Sequence, residues 1–448
     1  RASPANASAM PKLAGDWPIV QTAFGAHHYR FVGIEIKPSP GIFSYANVYL
    51  GENASLANQP HHIIFDRTYV HGDPNVGGIR GFLLDANNVA VVDSYVSGFW
   101  HNENDTQTIL SCAGTGPFKI SNNYLEAAGE NTMFGGCGTA FIVTPSDIEI
   151  RSNYYFKPRS WKQNDPSYDG KFRLIKNSFE LKHAQRVLAE GNVFDQNWGG
   201  QGQAGYAIVL TVRGEGYMTW APVQDITFRR NIVRNTGRGS VITGLDDSGP
   251  SAGGQRMHIY DNLWQIDWDW GVAGASNGDF LAVFDSADDI WVEHNTVDQK
   301  GSIMQSEGLA NQRFVLRNNI VQYGTYGITS SLGAGTPTLN GDFPGIDFRK
   351  NVIIDNQGNQ QYYSGYPDNF WVSSVSSVGF VNYSAGDFRL SAASPYNNAA
   401  TDGRDIGADI DAVNAATSCA VSGQCGGVTP PPPADTTAPS VPAGLSAT

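Results

Sequence analysis

Two basic side chains expected on neighbouring strands could together remove a proton next to a carboxylate. In Asn177–Ala184 (NSFELKHA), Phe179 and Leu181 alternate with Glu180 and Lys182. An alternation of period two puts both charged side chains on one outward face. Ala207–Arg213 (AIVLTVR) has the same pattern, with Ile208, Leu210 and Val212 inward and Thr211 and Arg213 outward. Stacking the two stretches predicts one patch of Glu180, Lys182, Thr211 and Arg213. β-Elimination from a uronic acid needs a base for the C5 proton and a group that neutralises the carboxylate, so that the proton becomes acidic enough. Lys182, Arg213 and Glu180 are therefore the expected catalytic residues. Asn131, Thr211 and Asp246 are expected to bind substrate. Trp161, Tyr206 and Trp220 either stack on sugar rings or pack within their own loops. Glu126, Glu130 and Asp247 are candidate ligands for Ca²⁺, the one cofactor the acidic residues suggest.

A repeat must position these side chains. Alternating apolar residues, a polar pair usually ending in Asn, and two more apolar residues recur along the chain. Examples are FKISNNYL at Phe118–Leu125, IEIRSNYYF at Ile148–Phe156, ITFRRNIV at Ile226–Val233 and FVLRNNIV at Phe314–Val321. The asparagines Asn123, Asn153, Asn192, Asn231, Asn262, Asn295, Asn319 and Asn351 are separated by 30, 39, 39, 31, 33, 24 and 32 residues. Short strands at such a period, without helical stretches, predict an all-β right-handed parallel β-helix, a solenoid of roughly ten or more coils. No coil can bury its apolar side alone, so the coils share one core. Each Asn is expected in the left-handed conformation at a bend, with its side chain bonded to the next coil. A β-propeller needs blades of about 40–50 residues with a signature that is absent. A sandwich needs tight hairpins, which are scarce.

These repeats resemble those of pectate-lyase-like β-helix proteins. LEAAGENTMFGG (Leu125–Gly136), PSDIEIRSNYYFKPRSW (Pro145–Trp161) and KNSFELKHAQRVLAEGNVFDQNW (Lys176–Trp198) are similar to a large, mostly uncharacterised group of secreted bacterial β-helix proteins. The resemblance runs from about Phe24 to Asp411. In that group further coils precede a segment like GAHHYRFVGIEI (Gly25–Ile36), which implies coils upstream of this chain. In residue types only, the Lys and Arg resemble those of β-helix polysaccharide lyases; no diagnostic lyase motif is present. Gly244-Leu245-Asp246-Asp247 faintly resembles the Asp-Asp step of β-helix polygalacturonases, whose Asn-Thr-Asp and Arg-Ile-Lys signatures are absent. The first expectation is a polysaccharide lyase acting on an acidic, uronate-containing polymer. The second is a glycoside hydrolase using paired carboxylates. The third is a non-catalytic carbohydrate-binding or adhesive β-helix, since a fold alone does not decide function.

The chain has 448 residues, 29 basic and 42 acidic, for a net charge of -13. That balance argues against a nucleic-acid partner, and no apolar run approaches the roughly 20 residues of a membrane helix. A monomer with a polysaccharide partner is expected. Residues 151–238 hold 14 basic and 7 acidic residues, a local +7 against -20 elsewhere, which suits a site for an anionic polymer. The expected organisation is a β-helix over 1–415, a Cys-containing tail and Pro-rich linker over 416–436, and over 437–448 (TAPSVPAGLSAT) a stretch resembling the start of a fibronectin type III module. Secretion or display at the cell surface follows from these features, and so do two disulfides, Cys112–Cys137 across adjacent coils and Cys419–Cys425 near the tail. The paired histidines His27-His28 and His61-His62 are expected to be structural.

Overall fold

The computed structural model describes residues 1–51, 55–272 and 274–425. The proline run and the fibronectin-like stretch lie outside the described residues. The chain winds as a right-handed parallel β-helix with three long sheets of 13, 12 and 11 strands. Each coil contributes short strands to these sheets, and all but the last strand of the second sheet pair in parallel with their counterparts one coil away. The first sheet runs from Lys12–Gly15 to Phe370–Val372, the second from Val20–Gln21 to Ile328–Ser330, and the third from His27–Val32 to Asp347–Arg349. The second sheet ends in a short antiparallel addition, Gly333–Ala334.

Register explains the shared core. In the third sheet Ile148, Val187, Ile226, Met257 and Ile290 align, as do Ile150, Ala189, Phe228, Ile259 and Val292 two residues on. All ten face inward and are buried. Aromatic rings stack along the axis from Tyr155 through Phe194 and Phe228 to Trp264, with centroids 4.4, 5.7 and 5.7 Å apart. Such offset contacts add to the area each ring buries.

The asparagines form one continuous ladder. The Asn192 Oδ1 accepts the backbone N–H and the Nδ2 of Asn153, each at 3.0 Å. Its own Nδ2 donates to Ile150 O and Asn231 Oδ1, each at 3.0 Å. The same bonds repeat from Asn123 onward and extend beyond the sequence repeat to Asn369. Before Asn123 the column continues as Ser94 and Thr68. The left-handed residue is not the ladder Asn but the residue before it: Asn122, Ser152, Gly191, Arg230, Asp261, His294, Asn318 and Lys350 all have positive φ. The turn is absorbed one residue early, which leaves each Asn free to aim its backbone N–H and its side chain along the axis.

A second left-handed column opens the third sheet. His28, His62, Asn88, Asp147, Arg186, Asp225, Arg256, Asp289 and Arg313 all have φ of 50–61°. The two histidine pairs stack coil on coil, with centroids 4.9 and 4.7 Å apart. Further along, the column alternates in charge, with Arg186 on Asp147 at 2.7 Å and Arg256 on Asp225 at 2.6 Å.

Cys112 and Cys137 form the expected disulfide, with Cα atoms 5.5 Å apart. Cys419 and Cys425 differ from expectation: both are free thiols. Cys419 sits in the helix Ile410–Ser422 and Cys425 lies beyond its left-handed Gly423 cap, with the two side chains in hydrogen-bonding contact. That helix also crosses the expected boundary at residue 415. It packs Ile410 and Val413 on Leu263 and Phe388, and accepts the Arg1 guanidinium at Ala420 O, 3.0 Å. Among the described residues no helix is long and apolar enough to cross a membrane.

Candidate functional site

Four strands of the second sheet build the site: Thr132–Phe134, Phe179–Leu181, Tyr206–Thr211 and Arg238–Thr243. Phe179 aligns with Ile208 and Leu181 with Leu210, all buried inward. Glu180 and Lys182 therefore emerge on the outer face beside Val209 and Thr211, as the alternation predicts. Glu180, Lys182, Tyr206, Thr211, Arg213 and Asp247 line one groove of about 430 Å³. Phe284 and Asp285, from a later coil, also line it. Sequence reasoning missed these two, although Phe284 aligns with Thr243, which aligns with Thr211.

The groove is densely hydrogen-bonded. Lys182 Nζ lies 2.8 Å from Glu180 Oε1 and donates to Thr211 Oγ1 at 2.9 Å. Glu180 is buried and also accepts from Asn177 Nδ2. The Arg213 backbone N–H donates to Lys182 O at 2.8 Å, which ties the two basic residues together. Its guanidinium pairs with Asp247 and lies 3.3 Å from Asp246 Oδ1. Burial works to raise the Asp246 carboxyl, but N–H groups of Gly214 and Ser248, with the Arg213 charge, hold it below its ordinary range. Tyr206 accepts from Arg238 Nη1 at 3.1 Å, and the guanidinium carbon lies 5.0 Å from its ring centre.

The strand ends sharply at Lys182. His183 turns inward, fully buried, with Nε2 2.9 Å from Thr144 Oγ1. Burial lowers its pKa to about 4. Gly135 (φ +82°) lies directly over it, where a Cβ would come within 2.4 Å of the His183 backbone nitrogen. Only glycine accommodates that approach in that conformation.

Other expected site residues lie elsewhere. Asn131 is buried; its Nδ2 donates to Leu125 O and Phe156 O, and its Oδ1 accepts from Lys157. Lys157 Nζ is itself fully enclosed, with oxygens of Ala127, Ala128, Gly129, Asn131 and Asn177 within 3.2 Å. Trp161 packs with Ile175 and Trp198 in a satellite cluster. Trp220 donates to Val143 O at 3.2 Å and Tyr217 to Thr139 O at 3.3 Å, clasping two loops to each other. Asp246 is turned onto backbone donors, so of the expected binding residues Thr211 and Tyr206 face the groove.

The acidic candidates do not converge. Glu126 accepts from Gly98 N–H and Tyr124 OH on the first sheet. Glu130 is buried between Gln107 and Lys176, its pKa raised by burial and by the nearby Glu180 charge. Asp247 is exposed on Arg213. Among the described residues no three His, Cys, Asp or Glu side chains are grouped to hold a metal ion. The basic window is likewise largely neutralised. Arg151, Arg229 and Arg230 gather on Glu190, and Arg234 on Asp195.

No protein-family profile matches the chain, and no curated protein matches it. Among solved structures, a PL6 family alginate lyase, AlyGC, is similar, with 12% sequence identity and a TM-score of 0.37. The match covers 89% of this chain and 55% of that one, so this chain spans little more than half its length.

Proposed function

We propose that the protein is a secreted polysaccharide lyase that acts on a uronate-containing polymer in the groove over the second sheet. The observation that carries the reading is the pairing of Lys182 and Arg213 on successive coils, joined by a hydrogen bond and open to one concave face. Arg213 would pair with the uronate carboxylate, drawing off charge as the C5–H bond breaks. Lys182 Nζ is the base that takes that proton. The electron pair forms the C4–C5 double bond, the C4–O bond breaks, and the departing oxygen takes a proton from water in the open groove. Thr211 and Tyr206 supply a hydroxyl and an aromatic face for the sugar. Any cation needed to help neutralise the carboxylate would have to bind with substrate, since Glu126, Glu130 and Asp247 sit in separate environments. The Cys112–Cys137 disulfide supports an oxidising, extracellular setting.

The test is incubation with a panel of uronate polymers while following the ultraviolet absorbance of the unsaturated product. Absorbance should rise with at least one polymer. New reducing ends without absorbance would replace elimination by hydrolysis, and binding without either product would leave an adhesive β-helix.

A further inference from the structure

We propose that a second concavity, at the corner between the first and second sheets in the early coils, binds a carboxylate-bearing pyranose. It shares no lining residue with the Lys182 groove and does not depend on catalysis there. Its volume is about 570 Å³, and separate loops bring Phe43, Tyr45, Trp100 and Phe172 to its walls, with His101 and Lys171 at the polar edge. Phe43 packs edge-on against Tyr45 at 5.4 Å and against His101 at 5.4 Å. Tyr45 and Phe172 nevertheless remain 55% and 41% exposed. Aromatic faces gathered from distant segments and left open to water are the mark of a binding surface rather than a core.

The platform is held in place from behind. The Arg173 guanidinium lies 4.7 Å from the Trp100 ring centre and 5.1 Å from that of Trp161. It is fixed by two bonds to Asp169, at 2.7 and 2.6 Å. Such rigidity lowers the ordering cost of binding.

The polar edge selects the ligand. Lys176, Lys182 and Arg213 all have carboxylate partners. Lys171 is exposed, and among the described residues its ammonium forms no ion pair: Nζ reaches Asn75 O at 3.5 Å and lies 5.6 Å from the Trp100 ring centre, while the backbone N–H donates to Asp169 Oδ1 at 3.0 Å. His101 Nδ1 accepts the N–H groups of Glu103 and Asn104, at 3.0 and 2.9 Å. That bonding assigns the ring proton to Nε2, making it a donor. Aromatic faces suit the C–H side of a pyranose, and an ammonium with an imidazole N–H suits its carboxylate and hydroxyl oxygens. An apolar peptide would leave Lys171 uncompensated, and the net charge of -13 disfavours nucleic acid.

The experiment titrates trigalacturonate into the full chain carrying Lys182→Arg, so that turnover does not consume the ligand. Calorimetry and tryptophan fluorescence report binding. Tyr45→Ala and Phe172→Ala should each weaken binding at this site about tenfold. Lys171→Met should weaken trigalacturonate about tenfold and leave neutral galactotriose unchanged. Arg213→Ala should leave this site unaffected. Both aromatics are exposed, so an unchanged urea midpoint checks the fold of each variant. The proposal fails if none of the three variants changes affinity, or if Lys171→Met affects acidic and neutral trimers alike. It also fails if trimers of galacturonate, mannuronate and guluronate all show no saturable binding at the aromatic wall.

Discussion

Along the ladder corner, coil after coil from Asn123 to Asn369 presents the same side chain making the same bonds. On the outer face of the second sheet the corresponding residues are Leu83, Leu110, Met133, Glu180, Val209, Val241 and Ala282, five residue types in seven positions. Both regions belong to the same stacked coils. The corner is constrained by buried hydrogen bonds to the neighbouring coil, made by Asn from Asn123 onward and by the hydroxyls of Ser94 and Thr68 before it. The face is constrained only to pair its backbone, which leaves its side chains free to differ and, where Glu180, Lys182, Thr211 and Arg213 meet, to form a site.

The sharpest test of that division is Lys182→Arg. A guanidinium keeps a positive charge beside Glu180 but cannot serve as a neutral base at ordinary pH. Turnover in the ultraviolet assay should fall about 10³-fold, while the thermal midpoint stays within about 2 °C. Full activity would remove Lys182 from the chemistry, and a large drop in midpoint would make it a structural residue like Lys157.

The reverse pattern is expected at the ladder. Asn192→Ala removes an acceptor from Asn153 and donors from Ile150 O and Asn231, all in buried surroundings. Stranding those groups should cost about 3 kcal/mol in urea unfolding. At a temperature where the variant is folded, turnover per folded molecule should be unchanged. A cost below about 1 kcal/mol would mean that the ladder marks register without holding it.

Legibility in sequence follows the same division. The ladder could be read because one residue type recurs at coil spacing, and alternation then placed Glu180, Lys182 and Thr211 correctly from only a few residues each. The left-handed positions were misassigned by one residue because Ser152, Gly191, Arg230 and Lys350 share no chemistry that would announce them. Asn131 falls outside the expected groove, and Trp161 takes the packing alternative, for another reason. Residues 157–178 fold back over the corner of the first sheet, and the Lys157 cage draws on carbonyls 20–30 residues away. Contacts of that kind leave no local pattern.

Lys182 and His183 put two environments in adjacent residues, the open groove and the closed interior. Burial lowers the folded-state pKa of His183 to about 4, against about 6.5 in the unfolded chain. Its contribution to stability is therefore complete above pH 6.5 and is lost as the pH falls through about 4, a swing of about 3 kcal/mol. His183→Gln should flatten the stability profile between those limits relative to the parent protein, as read from urea midpoints at matched pH. An unchanged slope would show that other groups carry the acid sensitivity.

The smallest effect is expected in a column as regular as the ladder. Arg256 donates to Asp225 through Nε and Nη2, and the motif repeats at Arg186 and Asp147. These side chains are 37–54% exposed, so water screens the attraction and competes for both partners. Arg256→Gln should shift stability by no more than about 0.5 kcal/mol, which a urea midpoint can bound. Regularity and burial would then be separable. The charge column and the Asn column both recur coil by coil, but only the Asn column encloses groups that water cannot reach. If Arg256→Gln cost as much as Asn192→Ala, repetition along the axis would itself be cooperative, and the distinction between a structural corner and a freely varying face would have to be redrawn.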